Sequence, residues 1–477
     1  MNKKVILWFR QDLRVHDNEA LRDALLSGSE ILPLYIFDER IFNGTTTFGF
    51  KKTGIFRAKF IIESVKNLRK NLEKIGLGLV VRIGKPEVVI YNFAKELKTS
   101  WIFCNRERTK EEKDVQDNLE KNLWSVGQEI RYSRGKMLYY TSDLPFPVTH
   151  TPDFFSTFKK EVEKFVDVRT LIPIPTKNLR AFIDKVTIGE IPKLPDFGFS
   201  DAEIEQTKNL TILGGEDEAL DRLKYYIWDA KHEKNYKDNR NGVLGDDFSS
   251  KLSSWLSQGC ISPKKVFHEI KKYKNKKGIH EFNYQLFLAL MWRDFFRLMG
   301  KKHGNKIFLK GGTKQEPRSD LSDKFKLFKI WADGRTGFPL VDANMLELKN
   351  TGFISSRGRQ NVASFLVNDL KINWIIGAEY FESLLIDYDP CSNYGNWNYI
   401  AGVGSDPREN RYYNVIFQSR KYDPEGIYLS HWLPSLKCLC PDKIHEPFSL
   451  SREKQAELGF ILGKDYPKAC VKIKSMI

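Results

Sequence analysis

Lys3-Lys4-Val5-Ile6-Leu7-Trp8-Phe9-Arg10-Gln11-Asp12-Leu13-Arg14 opens with five apolar residues that stop abruptly at Arg10. A run this short, rich in β-branched and aromatic side chains and bounded by charge, reads as a buried strand. It is too short for the apolar core of a secretory leader. Further short apolar runs lie at residues 31–37, 79–83, 101–104 and 130–132, with helix-like stretches at 59–75 and 87–97 between them. Alternating strand and helix signals predict a parallel sheet covered by helices on both faces. No G-x-G-x-x-G follows the first run, which excludes a dinucleotide held there in the Rossmann manner.

Downstream the texture changes. Pro145, Pro147, Pro152, Pro173, Pro175, Pro192 and Pro195 punctuate a connector with one amphipathic helix at 154–165. Beyond it, helical periodicity dominates at 218–229, 263–273, 284–302, 323–333, 343–350 and 361–369, and a less regular tail follows Leu436. The expected organisation is an α/β domain over 1–140, a connector over 141–214 and an all-helical domain with its tail over 215–477. No internal repeat is present.

Lys and Arg number 77 against 61 Asp and Glu, a formal charge of +16. That excess favours a polyanionic partner, although a basic surface on a soluble protein accounts for it equally well. Six cysteines in 477 residues are too few for a disulfide framework and fit a reducing, cytoplasmic setting. Cys438 and Cys440 lie near His431 and His445, but C-x-C is not the usual zinc spacing, and no metal is expected. No apolar stretch is long enough to span a membrane.

Four constellations could carry chemistry. Ser249, Ser250, Lys251, Leu252 and Ser253, preceded by Tyr236 and Arg240, set hydroxyls and a cation before a helical stretch, which suits phosphate; an ordinary serine cap explains the same residues. The run from Asp387 through Asp389, Asn393 and Trp397 to Tyr399 packs carboxylates, amides and aromatics into a turn-rich segment. Arg357 and Arg359, after Ser355 and Ser356, can hold phosphates or pair with Asp387 or Asp389. Trp292, beside Arg293, can stack a base or fill a core.

Together these residues resemble the photolyase/cryptochrome family. Phe9 to Asn18 is similar to the family's opening signature, and Trp292-Arg293-Asp294 and residues 342–350, 357–366 and 387–399 are similar to its flavin domain. Gly358, Gln360 and residues 391–399 resemble the DASH branch. The resemblance implies a Rossmann-like antenna domain and a helical domain enclosing FAD. It places Tyr236, Arg240 and Ser249 to Ser253 on the diphosphate and ribityl chain, and Arg293 among the cofactor-binding residues. Arg359 and Asp387 fall beside the isoalloxazine and Asp389 near the ring. Asn393 faces flavin N5, where an amide accepts a hydrogen bond without titrating. Trp397, Trp374 and Trp331 match an electron relay from flavin to surface, and Glu107 a contact to a methenyltetrahydrofolate antenna.

The implied activity is light-driven electron transfer from reduced FAD to a cyclobutane pyrimidine dimer presented out of the stack, which is easiest in single-stranded DNA. RNA is a further nucleic-acid partner, and a monomer is expected. Trp292 and Tyr399 match the aromatics flanking the flipped dimer, and Arg357 a lesion contact. Two positions depart from the pattern: Ala289 stands where a Glu or an amide meets the thymine edge, and Ser356 where an Asn touches the lesion. The alternatives are a blue-light receptor that binds nucleic acid without repair, and a flavoprotein without light chemistry.

Overall fold

The five strands expected near the N-terminus all form: β1 (Lys4–Phe9), β2 (Glu30–Asp38), β3 (Val80–Gly84), β4 (Trp101–Asn105) and β5 (Glu129–Ser133). They make one wholly parallel sheet in the order β3-β2-β1-β4-β5. This is a computed structural model, describing residues 3–174, 179, 181–183, 186–230, 245, 249–278, 281–404 and 411–473. β1 is central, with Val5 opposite Ile31 on one side and Trp101 on the other. Val5 to Phe9 are all buried, as a strand covered on both faces requires. Helices Glu19–Leu26, Ile55–Lys74, Pro86–Leu97 and Lys110–Trp124 supply the cover.

The chain order reverses at β1, so the C-terminal ends of β1 and β4 diverge around a switch point, where α/β sheets build their sites. Asn105, ending β4, donates to Asp12 beyond β1 at 2.5 Å and accepts from the Gly135 N–H at 3.0 Å. Residues 10–12, 105–108 and 134–136 are thereby pinned together.

Two compact units emerge: Met1–Glu233, Ser250–Asn305 and Ile386–Ser392 form one, and Lys234–Ser249, Lys306–Leu385 and Asn393–Ile477 the other. The chain passes between them repeatedly. The first unit holds the sheet, the connector helix Phe155–Phe165 and the long helix Glu281–His303. The second is helical, and its tail does not trail off. Ile444, Leu450, Phe460 and Tyr466 pack with Leu340, Ala343, Tyr428 and Leu429 in one buried cluster.

One stretch departs from its sequence reading. The segment expected to be turn-rich is helical over Pro390–Ala401. Asp389 caps it, its carboxylate accepting from the Ser392 N–H at 2.8 Å, and Pro390 takes the first helical position, where its missing N–H costs nothing. Gly377, on the helix Trp374–Leu384, makes room for the new helix: a Cβ there would come 2.3 Å from the Trp397 ring.

Candidate functional site

In the first unit, the ends of β1, β4 and β5 feed a buried chain of charges. Lys136 donates to Gln11 Oε1 at 2.7 Å and to Glu107 Oε1. Arg297 joins Glu107 Oε2 at 3.3 Å to Asp389 Oδ2 at 2.9 Å. The four charged side chains are 2–4% exposed. Burial pushes the Glu107 carboxyl up, but Lys136 and Arg297 outweigh it and hold the group below its ordinary value. Asp389 behaves likewise, with Arg297 and Arg293 prevailing over burial. Such a ladder is strong only while complete, because each charge is compensated solely by its neighbours.

Both Glu107 oxygens are engaged within the protein, and each keeps a further lone pair for an acceptor contact. Asp389 is similarly committed to Arg297 and to the helix cap. Arg293 bonds the Lys136 and Leu256 carbonyls at 2.6 and 3.1 Å, a brace between the β5 loop and the segment at 250–256.

Ser249 to Ser253 do not make an ordinary serine cap. The helix Ser253–Gln258 starts after Leu252 with no side-chain cap bond, and Lys251 holds a left-handed backbone, φ 55°. Ser250 is tied back through its carbonyl to Arg222 at 3.1 Å. Ser250 Oγ accepts from the Leu252 N–H at 3.4 Å, and hydroxyls beside a cation are the residue types that suit phosphates. Tyr236 and Arg240 lie outside the described residues. Asp387 is buried at 8% exposure in the turn before Asp389.

The second unit, taken by itself, holds an amide and three buried tryptophans. Asn393, 8% exposed, donates its Nδ2 to the Ala378 carbonyl at 3.0 Å. That commitment leaves Oδ1 as the accepting end, the polarity that an N–H of a reduced flavin requires. Arg359 donates Nε to the Ile354 carbonyl at 3.1 Å. Trp397 meets Phe381 edge-on at 5.1 Å, and Phe381 lies 6.3 Å from Trp331 with planes 15° apart. Trp374 contacts Tyr394 at 6.2 Å and donates to the Lys310 carbonyl at 3.1 Å.

Trp331, the third ring matched to the relay, is 0% exposed, closed in by Phe328 and Tyr380 and tied through Nε1 to the Val362 carbonyl at 3.0 Å. The ring beyond it is Tyr380, half-buried, 5.9 Å away. Depth is a tertiary property that spacing does not carry.

The residues matched to the lesion fall on both units. Trp292 is half-buried on the Glu281–His303 helix, with Ala289 exposed one turn before it. Ser356, exposed, begins the helix Ser356–Ser364. Arg357 bonds Gln360 at 3.0 Å and lies over the Tyr422 ring. Tyr399 is half-buried and engaged by Arg411, which donates to its hydroxyl at 2.6 Å and sits 4.4 Å from its ring centre. Sequence reasoning passed over Arg411, Arg297, Gly377 and Phe155. Only Arg297 left a trace, four residues after Arg293 and so on the same helical face. Among the described residues, no group of three or more His, Cys, Asp or Glu side chains could hold a metal ion, and no helix is long and apolar enough to cross a membrane.

Comparison with known proteins agrees with this architecture. Residues 5–178 match the DNA photolyase domain, and residues 286–476 match the FAD binding domain of DNA photolyase. The chain is 46% identical to cryptochrome DASH of Synechocystis sp. over 98% of its own length and 95% of the relative's. It is 42% identical to cryptochrome DASH of Xenopus laevis, over 98% and 89%. The crystal structure of a Synechocystis cryptochrome superposes with TM-score 0.94 at 44% identity, covering 100% of this chain and 98% of that one. A class III photolyase from Agrobacterium tumefaciens gives 0.86 at 29%, covering 100% and 96%. The chain thus belongs to the photolyase/cryptochrome family, on its cryptochrome-DASH branch, with a parallel-sheet N-terminal domain and a helical FAD-binding domain.

Proposed function

We propose that this protein repairs cyclobutane pyrimidine dimers under blue light, with single-stranded DNA as the preferred substrate. Asn393 carries the reading. Its donor end is fixed on the Ala378 carbonyl, so its oxygen is the end that meets the cofactor, and an amide adds no charge there. A carboxylate in its place would repel an anionic reduced flavin. Bound FAD, once reduced, supplies the electron that light delivers to the dimer and that returns after splitting. The chain's own part is to hold that cofactor, using the donor set at 249–253, Arg359, Asp387 and Asn393, and to present the dimer with Trp292, Tyr399 and Arg357. Buried Trp397, Trp374 and Trp331 are the groups through which the cofactor is re-reduced.

Likeness to a structurally characterised photolyase supports repair. A regulatory receptor is the second reading, favoured by exposed Ala289 and Ser356, neither of which offers the polar contact that the family's usual residues would. In either case methenyltetrahydrofolate is the proposed antenna, with Glu107 as its proposed acceptor contact. RNA binding, a monomeric state and a cytoplasmic location belong to the same proposal.

Thymine-dimer oligonucleotides, single-stranded and duplex, incubated with the reduced protein in light and in darkness, decide between the two. Light-dependent loss of dimers, faster on single strands, is the expected result. Normal flavin photoreduction without any dimer loss would overturn dimer repair and leave a receptor or a different substrate.

A further inference from the structure

The connector helix Phe155–Phe165 begins with a ring lying face to face on Trp292, centroids 3.7 Å and planes 11° apart. Phe295 closes the pair from the side, edge-on to Phe155 at 5.8 Å and to Trp292 at 5.7 Å, and Phe296 lies 5.4 Å from the indole. Phe155 and Trp292 are half-buried, while Phe295 is fully buried. The stacked pair therefore stands at the rim of the aromatic cluster. Any apolar side chain would satisfy burial at that place. A parallel ring does more, because it fixes the plane of the indole as well as its position.

We propose that Phe155 is a positioning residue for lesion recognition: it backs Trp292 and holds the indole in the plane against which a flipped pyrimidine dimer stacks. The inference rests on the assignment of Trp292 to the dimer made above. Rings 3.7 Å apart leave no space for a base between them, so at most the opposite indole face serves the substrate. An indole already immobilised gives up little rotational freedom on binding, which raises affinity without an added contact. The device matters here because Ala289, one turn away, supplies no hydrogen bond to the dimer's edge. Recognition on this helix face then leans on stacking, and stacking depends on the plane.

The test uses the full-length flavin-loaded protein and two single-stranded oligonucleotides of one sequence, one carrying a single thymine dimer. Affinities are read by fluorescence anisotropy. Phe155→Leu is expected to weaken dimer binding roughly three- to tenfold, leaving undamaged-strand binding and flavin photoreduction unchanged. Phe155→Tyr, which keeps the ring, should restore the discrimination. Equal weakening on both strands, no change, or tighter dimer binding (the sign of a ring that competes for the base's place) would each overturn the proposal. Should Phe155→Leu not fold, Phe155→Met fills similar volume without a ring and carries the same comparison. Trp292→Ala separates the two levels. If it leaves discrimination intact, the assignment of Trp292 falls and that of Phe155 with it. If it abolishes discrimination while Phe155→Leu does not, only the positioning role is lost.

Discussion

The buried charge ladder of the first unit and the buried tryptophans of the second are equally dry and built on opposite principles. Lys136, Glu107, Arg297 and Asp389 are held by a handful of charge-assisted bonds, each partner compensating the next. Trp397, Phe381 and Trp331 are held by ring contacts, with Trp331 also donating to the Val362 carbonyl. A charged chain fails when one link is cut, because the remaining charges stay buried without compensation. An apolar cluster loses stability in proportion to the volume removed. The ladder is thus the more brittle of the two, and the aromatic cluster the more tolerant of graded change.

Arg297→Met is the sharpest way to break this contrast. It removes the cation between Glu107 and Asp389, leaving Glu107 to Lys136 and Asp389 without its ion-pair partner, and a loss of about 3–5 kcal/mol is expected, read from urea melts. Because Asp389 also caps the helix carrying Asn393, the variant should purify with less flavin. A loss under about 1 kcal/mol would show that the ladder is not the keystone.

Asp294, next to the ladder, gives a pH-dependent version. Burial raises its carboxyl to about 6, against the Tyr139 and Leu138 N–H groups and Arg293. Between roughly pH 4 and 6 the folded protein therefore binds a proton that the unfolded chain has released. The sign is that stability is present below pH 4 and lost as pH rises through 6. Asp294→Asn removes this titration. Its stability relative to the unmodified protein should rise by on the order of 2–3 kcal/mol from pH 4 to pH 7. A difference that stays flat across that range would place the Asp294 carboxyl near its ordinary value.

How much of this could be read in advance follows the same divide. The sheet was legible because short apolar runs between helical stretches carry a local period, and all five strands form where they were expected. Asn393 and Trp397 were named by motif. The ladder was invisible because Gln11, Glu107, Lys136, Arg297 and Asp389 are scattered along the chain, and only the fold at the switch point of the sheet gathers them. Glu107 was named by its resemblance alone, and its pairing with Lys136 and Arg297 had no local sign. The helix at Pro390 was obscured because Asp-Pro reads equally as a turn and as a cap followed by a first helical residue. The depth of Trp331 depends on Phe328, Tyr380 and Phe381 closing round it, which no spacing announces.

Within the aromatic cluster, tightness is set by Gly377. A Cβ there meets the Trp397 ring at 2.3 Å and the Leu366 side chain at 2.6 Å, so Gly377→Ala should cost about 1–3 kcal/mol through overpacking. The predicted signature is a thermal shift together with altered photoreduction, since the indole is what must move. A shift without any change in photoreduction would mean that Leu366 yields instead.

The smallest structural effect should accompany the largest functional one. Trp397→Phe keeps an aromatic ring against Phe381 and removes part of the indole, at an expected cost on the order of 1 kcal/mol. Phenylalanine is far harder to oxidise than indole, so the step that delivers an electron to the cofactor should slow severely while the fold persists. Blue-light bleaching of the oxidised flavin, followed in the presence of an external thiol, reads that step, and a urea melt on the same sample reads the other. Intact photoreduction in Trp397→Phe would move the entry point to a different ring, with Tyr394 and Trp374 the neighbouring pair to examine. A melt as damaged as that of Arg297→Met would erase the contrast itself, because it would make the tryptophan cluster as brittle as the ladder.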